Sequence, residues 1–248
     1  MKISIITASF NSEKSIRDTL ESVKCQEYNN VEHLIIDGLS SDRTLHIVRE
    51  YSHVSRVISE KDNGIYDAMN KGLQIATGEI IGILNSDDIY VDNKVLKEVV
   101  DMFADDQVDG CYADLQYVDE SDTNILVRSW KSGTYRKNSF LYGWMPPHPT
   151  LFLRRRVYDK IGFFNLAFKT AADYELMIRV FVTHDFTIRY LPRVIVKMRT
   201  GGASNATMKR RIDANKEDRM AWKVNNLKPY FFTLYLKPIR KIFQFINK

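Results

Sequence analysis

The stretch that decides the fold is Gly78-Glu79-Ile80-Ile81-Gly82-Ile83-Leu84-Asn85-Ser86-Asp87-Asp88. Its centre, residues 80–84, is short and almost wholly apolar, which is typical of a strand buried on both faces of a parallel sheet. The turn formers Asn85 and Ser86 come next, so two carboxylates follow at the carboxyl end of this strand. Because open α/β sheets bind ligands outside the carboxyl ends of their strands, Asp87 and Asp88 form a candidate site.

Two adjacent carboxylates repel each other unless a cation or several hydrogen-bond donors lie between them. Mg²⁺ and Mn²⁺ favour carboxylate oxygens and substrate phosphates, so the pair predicts a divalent metal that holds a phosphorylated ligand. The alternative is a solvated turn between strand and helix, in which Asp92 or Asn93 caps a helix that begins near Lys94. The turn by itself leaves both possibilities open.

The same order of strand, polar turn and helix recurs upstream of this stretch. Further strands are predicted at residues 3–8, 33–36 and 54–59, with helices between them. Strand and helix thus alternate four times within about 100 residues, the pattern of a doubly wound, mostly parallel sheet. Polar residues follow each strand and should meet at one edge of the sheet: Thr7, Ser9, Asp37, Asp62, Asp87 and Asp88.

Two classes of nucleotide-binding protein are disfavoured by the first strand. No Gly-x-Gly-x-x-Gly follows it, and the chain has no Walker loop. Dinucleotide oxidoreductases and P-loop enzymes depend on those glycine-rich turns to bring backbone N–H groups to a phosphate. The sequence therefore argues against both classes.

Downstream of the acidic pair the pattern changes from alternating helix and strand to a small mixed β region. A helix is predicted at residues 93–104, a hairpin at 109–118 and 124–130, a short strand at 151–153 and a pair of strands at 188–197. Pro146, Pro147 and Pro149 stiffen a loop that carries Trp144 and His148. This loop either walls a substrate pocket or is a rigid connector.

Asp173 and the Gly201-Gly202 pair can each be interpreted as functional or as purely structural. Asp173 follows small residues at a predicted helix start, where it is either an N-cap or a carboxylate that faces the cleft as a base. Gly201 and Gly202 could wrap a diphosphate with backbone N–H groups or simply turn the chain. Sequence shape alone leaves each alternative open.

Size and composition indicate an ordinary globular protein. A chain of 248 residues can form one domain or one domain with an appendage. No apolar run approaches the roughly 20 residues of a membrane span, and Met1 to Ser4 enter a strand rather than a signal peptide. We therefore expect a cytoplasmic protein. Its two cysteines form neither a disulfide framework nor a metal-binding motif.

The C-terminal segment, residues 228–248, combines basic and aromatic residues. The net charge of the chain is +5, yet no acidic residue occurs between Met220 and Lys248. One helical stripe is predicted from Phe232, Leu236, Ile239, Phe243 and Ile246, with Lys237, Arg240 and Lys241 beside it. The stripe either packs on the catalytic domain or lies in a membrane surface with the cations over anionic headgroups. Nucleic acid is the less favoured partner.

The ordered set of motifs resembles family-2 glycosyltransferases of the GT-A fold, especially short bacterial enzymes of polysaccharide, O-antigen and colanic-acid assembly. The resemblance covers about residues 1–205. It rests on residues 4–11, 36–44, 62–72, 84–88, the segment Phe152-x-Arg154-Arg155, residues 172–176, and Gly201-Gly202-x-Ser204. It implies a catalytic domain at 1–205, with a nucleotide-sugar half at 1–105 and an acceptor half at 106–205, and a helical appendage at 206–248.

The resemblance also implies an activity. We expect an inverting, metal-dependent glycosyltransferase that moves a sugar from a nucleotide-sugar, most often a UDP-sugar, to a hydroxyl of a glycan acceptor. An acceptor linked to polyprenyl diphosphate would lie at the cytoplasmic face of the cell membrane. Mn²⁺ or Mg²⁺ is the expected cofactor. The implied base is Asp173 and the implied metal ligand is Asp88; the nucleotide-sugar is assigned to Thr7, Ser9, Asp37, Asp62, Lys71 and Asp87, and the acceptor pocket to Trp144, His148 and Arg155.

The sequence departs from the family pattern at one point, and two other functions remain as alternatives. Many relatives place a histidine near the Gly-Gly loop to complete the metal site, and Arg199 and Thr200 occupy that neighbourhood here. Water or phosphate oxygens would then complete the metal shell. A sugar-phosphate nucleotidyltransferase is the first alternative, but residues 9–12 are unlike the basic Gly-rich loop of those enzymes. A non-catalytic carbohydrate- or membrane-binding protein on the same fold is the second.

Overall fold

The computed structural model describes residues 1–201 and 208–243, and of residues 208–213 and 241–243 it describes the backbone alone. The strands are β1 (Ile3–Ser9), β2 (Val31–Asp37), β3 (Val54–Ser59), β4 (Ile80–Ile83), β5 (Asp88–Tyr90), β6 (Gly110–Val118), β7 (Leu126–Trp130), β8 (Phe152–Arg154) and β9 (Ile188–Arg199). The helices are α1 (Ile16–Lys24), α2 (Thr44–Val48), α3 (Ile65–Ile75), α4 (Val95–Met102), α5 (Arg155–Ile161), α6 (Ala172–Ile178), α7 (Met208–Val224) and α8 (Thr233–Phe243).

The described strands join in a single sheet of order β3-β2-β1-β4-β8-β6-β9-β5, and β7 pairs with β6. The four strands β3, β2, β1 and β4 are parallel to one another. Strand β8 runs antiparallel to both β4 and β6, while β6 and β9 are parallel. The predicted doubly wound, mostly parallel sheet with a small mixed β region is therefore confirmed.

Most predicted elements form at or near their predicted positions, but two strands, β9 and β5, differ from the prediction. Residues 188–199 form one long strand, β9, where a pair of strands was predicted. The strand stays continuous because β6 lies alongside it, and Pro192 falls where the β6–β9 register shifts near Asp114. A proline is tolerated at such an irregularity, since no ladder hydrogen bond needs its missing N–H. Strand β5, which begins at Asp88, was not predicted.

The core lies on both faces of the parallel strands. On one face, Ile6 of β1 packs in a cluster with Met69 and Leu73 of α3. On the other face, Ile5 lies in a cluster with Val99 of α4. Alternate residues of one strand thus serve opposite faces, and every residue of β4 is buried, as predicted for a strand covered on both sides. The carboxyl edge of the strands remains open between the two helical layers.

The C-terminal helices pack against α6 and against the segment around Phe140. Trp222 of α7 and Leu234 of α8 are almost fully buried in the cluster that also holds α6. Helix α8 lies close to Gly143, whose φ is 72°, and a Cβ added there would lie 2.6 Å from the backbone nitrogen of Lys237. Glycine is therefore required at position 143 by both conformation and space.

The predicted apolar stripe of the C-terminal segment does not face outward as a whole, as a helix lying in a membrane surface would require. Phe232 and Leu236 are half-buried, so this part of the stripe packs on the protein. The most exposed large apolar or aromatic side chains described in this segment are Phe231 at 85%, Tyr235 at 59%, Tyr230 at 48% and Ile239 at 46%. The side chains of Phe243 and Ile246 lie outside the described residues. Within residues 1–201 and 208–243, no helix combines the length and apolar character needed to cross a membrane.

Candidate active site

The carboxyl ends of β1 and β2 are joined through the carboxylate of Asp37. Its two oxygens accept hydrogen bonds from the hydroxyls of Ser9 (3.1 Å), Ser40 (2.5 Å) and Ser59 (2.8 Å), and from the Ser40 backbone N–H (3.0 Å). Asp37 has no exposed surface and Ser9 almost none. Both residues are therefore buried beneath the predicted nucleotide site, where their hydrogen bonds hold its loops together.

Asp62 and Lys71 shape the loop next to Asp37. An added Cβ on Gly38 would lie 2.4 Å from a carboxylate oxygen of Asp62, so the Asp62 side chain packs directly against this glycine. The Lys71 ammonium donates to the Lys61 carbonyl over 2.8 Å and pairs with Glu60 at 2.9 Å. Lys71 thus holds the loop that carries Asp62 against helix α3.

Thr7 lies deeper than the other predicted nucleotide-site residues. Its side chain has no exposed surface, and its hydroxyl is 3.1 Å from Nε2 of His33. Nδ1 of His33 lies 3.1 Å from Nε2 of His53. Burial, with a smaller effect of His53, lowers the pKa of His33 to about 3, so this imidazole is neutral at physiological pH. Direct contact between the Thr7 side chain and a ligand would require this packing to open.

The acidic pair is buried rather than solvated. Asp88 is 1% exposed, and its Oδ2 accepts a hydrogen bond of 2.9 Å from the side-chain amide of Asn85. Burial raises the pKa of Asp88 well above its usual range, and the charge of Asp87 raises it further. Burial also raises the pKa of Asp87. The alternative of a solvated turn is wrong for this pair, because β5 draws Asp88 into the sheet beside β9.

Arg199, at the end of β9, brings a positive charge to the acidic pair. Its guanidinium donates to the Asp87 carbonyl over 3.0 Å and also contacts the carboxylate of Asp18 on α1. The charge of Arg199 lowers the pKa values of Asp87 and Asp88, in opposition to burial. A guanidinium cannot ligate a metal as a histidine does, so Arg199 supplies fixed positive charge where the resemblance implies a ligand.

A divalent cation fits the oxygen atoms that the pair presents. Oδ1 of Asp88 and Oδ1 of Asn85 are buried and accept no hydrogen bond. Such acceptors are costly unless a donor or a cation satisfies them, and hard cations prefer oxygen ligands. Within residues 1–201 and 208–243, no group of three or more His, Cys, Asp or Glu side chains could hold a metal by itself. The site therefore fits Mn²⁺ or Mg²⁺ that also takes oxygens from a phosphorylated ligand or water.

Asp173 is the second residue of α6 and is half-exposed. The N-cap of that helix is Ala171, and no side-chain cap hydrogen bond is made. Oδ1 of Asp173 instead accepts a hydrogen bond of 3.0 Å from the hydroxyl of Tyr66 on α3. The N-cap alternative for Asp173 is therefore wrong. Burial, with the charge of Asp173, strongly raises the pKa of Tyr66, so the phenol keeps its proton and remains a donor.

The proline-stiffened loop contributes both to the core and to the surroundings of Asp173. His148 packs edge-on against Phe164, with ring centroids 5.5 Å apart. Burial lowers the pKa of His148, while the charge of Asp173 acts in the opposite direction. Trp144 is buried and donates from Nε1 to the Ser132 carbonyl over 2.7 Å. The loop is thus a rigid connector at Trp144 and a neighbour of the predicted base at His148.

A cavity of about 650 Å³ opens beside Trp144. Its walls include Trp130, Lys131, Met145, Lys237 and Arg240. Asp114 also lines the cavity and Lys237 is paired with Asp218, so aromatic surface and charges of both signs border this space.

Arg155 lies away from the acidic residues. Strand β8 runs antiparallel to β4, and its last residue, Arg154, pairs with Ile80 at the amino end of β4. Arg155 follows there and donates to the carbonyls of Gly78 and Ala76. The direction of β8 therefore places Arg155 at the opposite edge of the sheet, which argues against its predicted place in the acceptor pocket.

Tyr117 is a buried residue of β6 that the sequence analysis did not single out. Burial raises the pKa of Tyr117, the positive charge of Arg128 lowers it, and the negative charges of both Asp88 and Asp173 raise it. The Arg128 guanidinium lies 3.6 Å from the centre of the Tyr117 ring. Both carboxylates are thus within electrostatic reach of one buried phenol. The predicted hairpin gave no signal for Tyr117 or Arg128, whereas Tyr66 lies inside a recognised motif.

The predicted diphosphate loop is only partly within the described residues. Gly201 is described, with φ of 95°, whereas Gly202 and Ser204 lie outside them.

Comparison with known proteins identifies the family. The profile of Glycosyl transferase family 2 matches residues 4–163, which include the acidic pair and end before Asp173. A PGL/p-HBAD biosynthesis glycosyltransferase of Mycobacterium bovis is 29% identical over 211 residues, covering 82% of this chain and 78% of the relative. An uncharacterized glycosyltransferase of Mycobacterium tuberculosis is 31% identical over 191 residues, 75% of this chain and 72% of the relative.

Solved structures share the fold. Residues 1–349 of S. aureus TarS superpose with a TM-score of 0.69 at 19% identity, covering 98% of this chain and 72% of that chain. The mannosyltransferase PcManGT of Pyrobaculum calidifontis, solved with GDP-Man and Mn²⁺, gives 0.67 at 18% identity, covering 95% and 68%. Neither alternative function finds support among these proteins. The chain belongs to glycosyl transferase family 2 and has the GT-A fold, so the protein is a glycosyltransferase.

Proposed function

We propose that this glycosyltransferase is inverting and metal-dependent, and that it transfers a sugar from a nucleotide-sugar to a hydroxyl of a glycan acceptor. The observation that carries the proposal is the contrast between two carboxyl environments, that of Asp88 beside Asp87 and that of Asp173 at the Tyr66 hydroxyl. Asp88 is buried with an unsatisfied oxygen beside Asp87, whereas Asp173 is half-exposed and held by Tyr66. Groups in environments this different can take different roles in one reaction.

On the donor side, Asp88 and Asn85 would hold Mn²⁺ or Mg²⁺, and Asp87 would contact the ribose. The metal, when bound, neutralises charge on the diphosphate. Arg199 adds a fixed positive charge on the same side. Asp37 and Ser9 would keep the base-binding loops in place, and Asp62 and Lys71 would lie beside the nucleotide. Thr7 would support this edge from the core rather than contact the nucleotide through its side chain. Residues 1–105 would form the nucleotide-sugar half of a catalytic domain that extends to residue 205.

On the acceptor side, the Asp173 carboxylate accepts the proton of the acceptor hydroxyl. The oxygen of the acceptor hydroxyl forms a bond to the anomeric carbon of the donor sugar. The bond from this carbon to the nucleoside diphosphate breaks at the same time, and its electron pair leaves with the diphosphate. Tyr66 orients the carboxylate, since its hydrogen bond fixes Oδ1 and leaves Oδ2 for the acceptor. A single displacement from the opposite face inverts the anomeric centre.

A UDP-sugar is the favoured donor. TarS has been solved with UDP-GlcNAc and with UDP, and covers the whole of this chain in both complexes. The GDP-Man complex of PcManGT makes GDP-sugars the second class to examine. Both structures are below 25% identity, so they support the choice of compounds to test rather than a particular sugar.

We also propose that the acceptor is lipid-linked and that the protein contacts the inner face of the cell membrane. The support is an exposed surface of aromatic and apolar side chains, here called the aromatic surface, formed by Tyr142, Tyr230, Phe231, Tyr235 and Ile239. Arg240 donates to the Tyr142 carbonyl over 3.4 Å, and three further exposed cations lie within six residues of members of this surface in the chain: Arg136, Lys137 and Lys228. Aromatic side chains flanked by cations suit an anionic lipid surface. The lipid-facing residues are therefore Phe231, Tyr235 and Ile239 rather than the whole predicted stripe.

The reaction is tested by incubating the protein with individual UDP- and GDP-sugars and Mn²⁺ and measuring release of nucleoside diphosphate. We expect slow hydrolysis of one donor, release of the sugar with inverted anomeric configuration by NMR, and no release after chelation of the metal. A nucleotidyltransferase would instead form pyrophosphate from a nucleoside triphosphate and a sugar phosphate. Retention of configuration, or undiminished turnover in excess chelator, would contradict the proposal.

The roles of the two acidic centres are separated by Asp173→Asn. The amide keeps the size of the side chain but accepts no proton at neutral pH, so transfer to an acceptor should be lost. Binding of UDP with Mn²⁺, measured as a rise in Tm, should be retained because the donor side is unchanged. Persistence of transfer in this variant would reject Asp173 as the base.

A further inference from the structure

The carboxylate of Glu217, on α7, lies against the backbone that leads into α6. One of its oxygens accepts hydrogen bonds from the backbone N–H groups of Thr170 (2.8 Å) and Ala171 (3.0 Å) and from the Thr170 hydroxyl (2.9 Å). The other accepts from the N–H of Lys169 over 3.0 Å. Three successive backbone donors and one hydroxyl therefore converge on one side chain that is 46 to 48 residues away in sequence.

Helix α7 also holds the chain just after Asp173. The indole N–H of Trp222 donates to the hydroxyl of Tyr174 over 3.0 Å, and both residues are buried. The side-chain amide of Asn225 donates to Glu175 over 3.0 Å. Asp173 thus lies between two attachments to α7: Glu217 binds the chain before Asp173, and Trp222 and Asn225 bind the chain after it.

Glu217 holds the two residues before the N-cap of α6 and the N–H of the N-cap residue itself, Ala171. Ala171 has no side-chain acceptor, and the N–H groups that lead into the helix are bound by a distant residue. Hydrogen bonds from backbone N–H groups to a carboxylate are charge-assisted and stronger than those between neutral groups. The position of the Asp173 backbone is therefore set largely from α7.

We propose that Glu217 is a positioning residue for the catalytic base: it fixes the entrance of α6 so that Asp173 is held at the Tyr66 hydroxyl and at the acceptor. The inference rests on the proposed role of Asp173 as the base. It assigns part of the catalytic machinery to the segment beyond residue 205, which the family match over residues 4–163 does not include. Small displacements of a reacting group are costly, and a shift of about 1 Å can lower a rate by about a hundredfold.

The test compares Glu217→Ala and Glu217→Gln with Lys223→Ala, an exposed position on the same helix. In Glu217→Ala, kcat for transfer should fall by about tenfold to a hundredfold, while the KM for the donor and the Tm shift caused by UDP with Mn²⁺ stay unchanged. Glu217→Gln keeps a neutral acceptor for the N–H groups, so it should recover part of the lost kcat. Lys223→Ala should behave as the wild type.

Several outcomes would overturn the inference. Equal kcat in Glu217→Ala and the wild type would show that the contact does not position the base. A parallel loss of kcat and of donor binding would indicate a general structural role. The same conclusion would follow if Glu217→Ala had a lower Tm and regained full kcat at a lower assay temperature. If Asp173→Asn is itself active, the proposed function fails first; if it is inactive while Glu217→Ala is fully active, only the positioning role fails.

Discussion

Tyr66 donates its phenolic hydrogen to Oδ1 of Asp173 over 3.0 Å, and the two residues are 107 positions apart in the chain. Helix α3, which carries Tyr66, also binds the loop before α6 through Asn70, whose side-chain amide exchanges two hydrogen bonds of 2.9 Å with the backbone of Phe164. The ring of Phe164 in turn stacks on Tyr66. Helix α3 thereby fixes one oxygen of the predicted base, which lies 107 residues after Tyr66 in the chain.

Removing this hydrogen bond should slow transfer without weakening donor binding. We expect Tyr66→Phe to lower kcat by about tenfold to a hundredfold, since hydrogen bonds to charged groups contribute about 1.5–3 kcal/mol. The phenyl ring keeps the stacking on Phe164, so Tm should change little. Steady-state kinetics and the Tm shift with UDP and Mn²⁺ measure the two effects separately. An unchanged kcat would show that Tyr66 does not orient Asp173 during the reaction.

Asp88→Asn should separate stability from activity. Because Asp88 is buried beside another carboxylate, a neutral amide removes repulsion, and the Tm of the ligand-free protein should be unchanged or higher. Turnover should fall by about 10²–10³, because a charged ligand at the departing diphosphate is lost. The additional Tm rise given by Mn²⁺ with UDP should also be lost.

The matched control for Asp88 is Asp101→Asn, which makes the same chemical change at an exposed position on α4. It should leave activity and Tm near their wild-type values. Turnover by Asp88→Asn above a few per cent of wild type in excess Mn²⁺ would reject Asp88 as the metal ligand.

The aromatic surface should bind anionic vesicles. We expect the double variant Phe231→Ser, Tyr235→Ser to sediment several-fold less with phosphatidylglycerol vesicles than the wild type, because two exposed rings are removed. Higher salt should weaken wild-type binding, since each cation near the surface contributes on the order of 1 kcal/mol. Leu166→Ser, also at an exposed apolar position, serves as the control. Equal recovery of all three proteins, or recovery that ignores salt, would contradict membrane contact.

The buried histidine His33 should make the fold sensitive to acid. Its pKa is about 3 in the folded protein and near 6.5 when unfolded, so the unfolded state binds the extra proton between these values. The free energy of unfolding should therefore be unaffected by this group above pH 6.5 and fall by up to about 1.4 kcal/mol per pH unit below it. Denaturant unfolding of the wild type and His33→Gln between pH 7 and 4.5 measures this slope.

His33→Gln should show a shallower decline, and His46→Gln, at an exposed position, should follow the wild type. The partly buried His53, whose pKa burial also lowers, contributes in the same direction and remains in both variants. Identical slopes for all three proteins would contradict the assignment of a buried, neutral imidazole at position 33.

The parallel half of the fold could be predicted because its signals are local. Apolar runs, turn formers and helical spacing lie next to one another in the chain, so β1 to β4 and the acidic pair follow from short windows of sequence. The burial of Asp88 could not be predicted, because it depends on β9 more than 100 residues later. Tyr117 and Glu217 could not be identified from the sequence either, since the contacts of each join distant segments and belong to no motif.

The ion pair between Lys237 and Asp218 limits how the C-terminal segment can be studied. Lys237 of α8 pairs with Asp218 at 2.8 Å and lies 3.7 Å from the centre of the Tyr174 ring, one residue after Asp173. A chain shortened to residue 226 would keep Glu217 but remove this cation from a buried carboxylate and from the neighbourhood of the base. Truncation would therefore perturb turnover and membrane contact together, whereas single substitutions on the outer side of α8 can alter one property at a time.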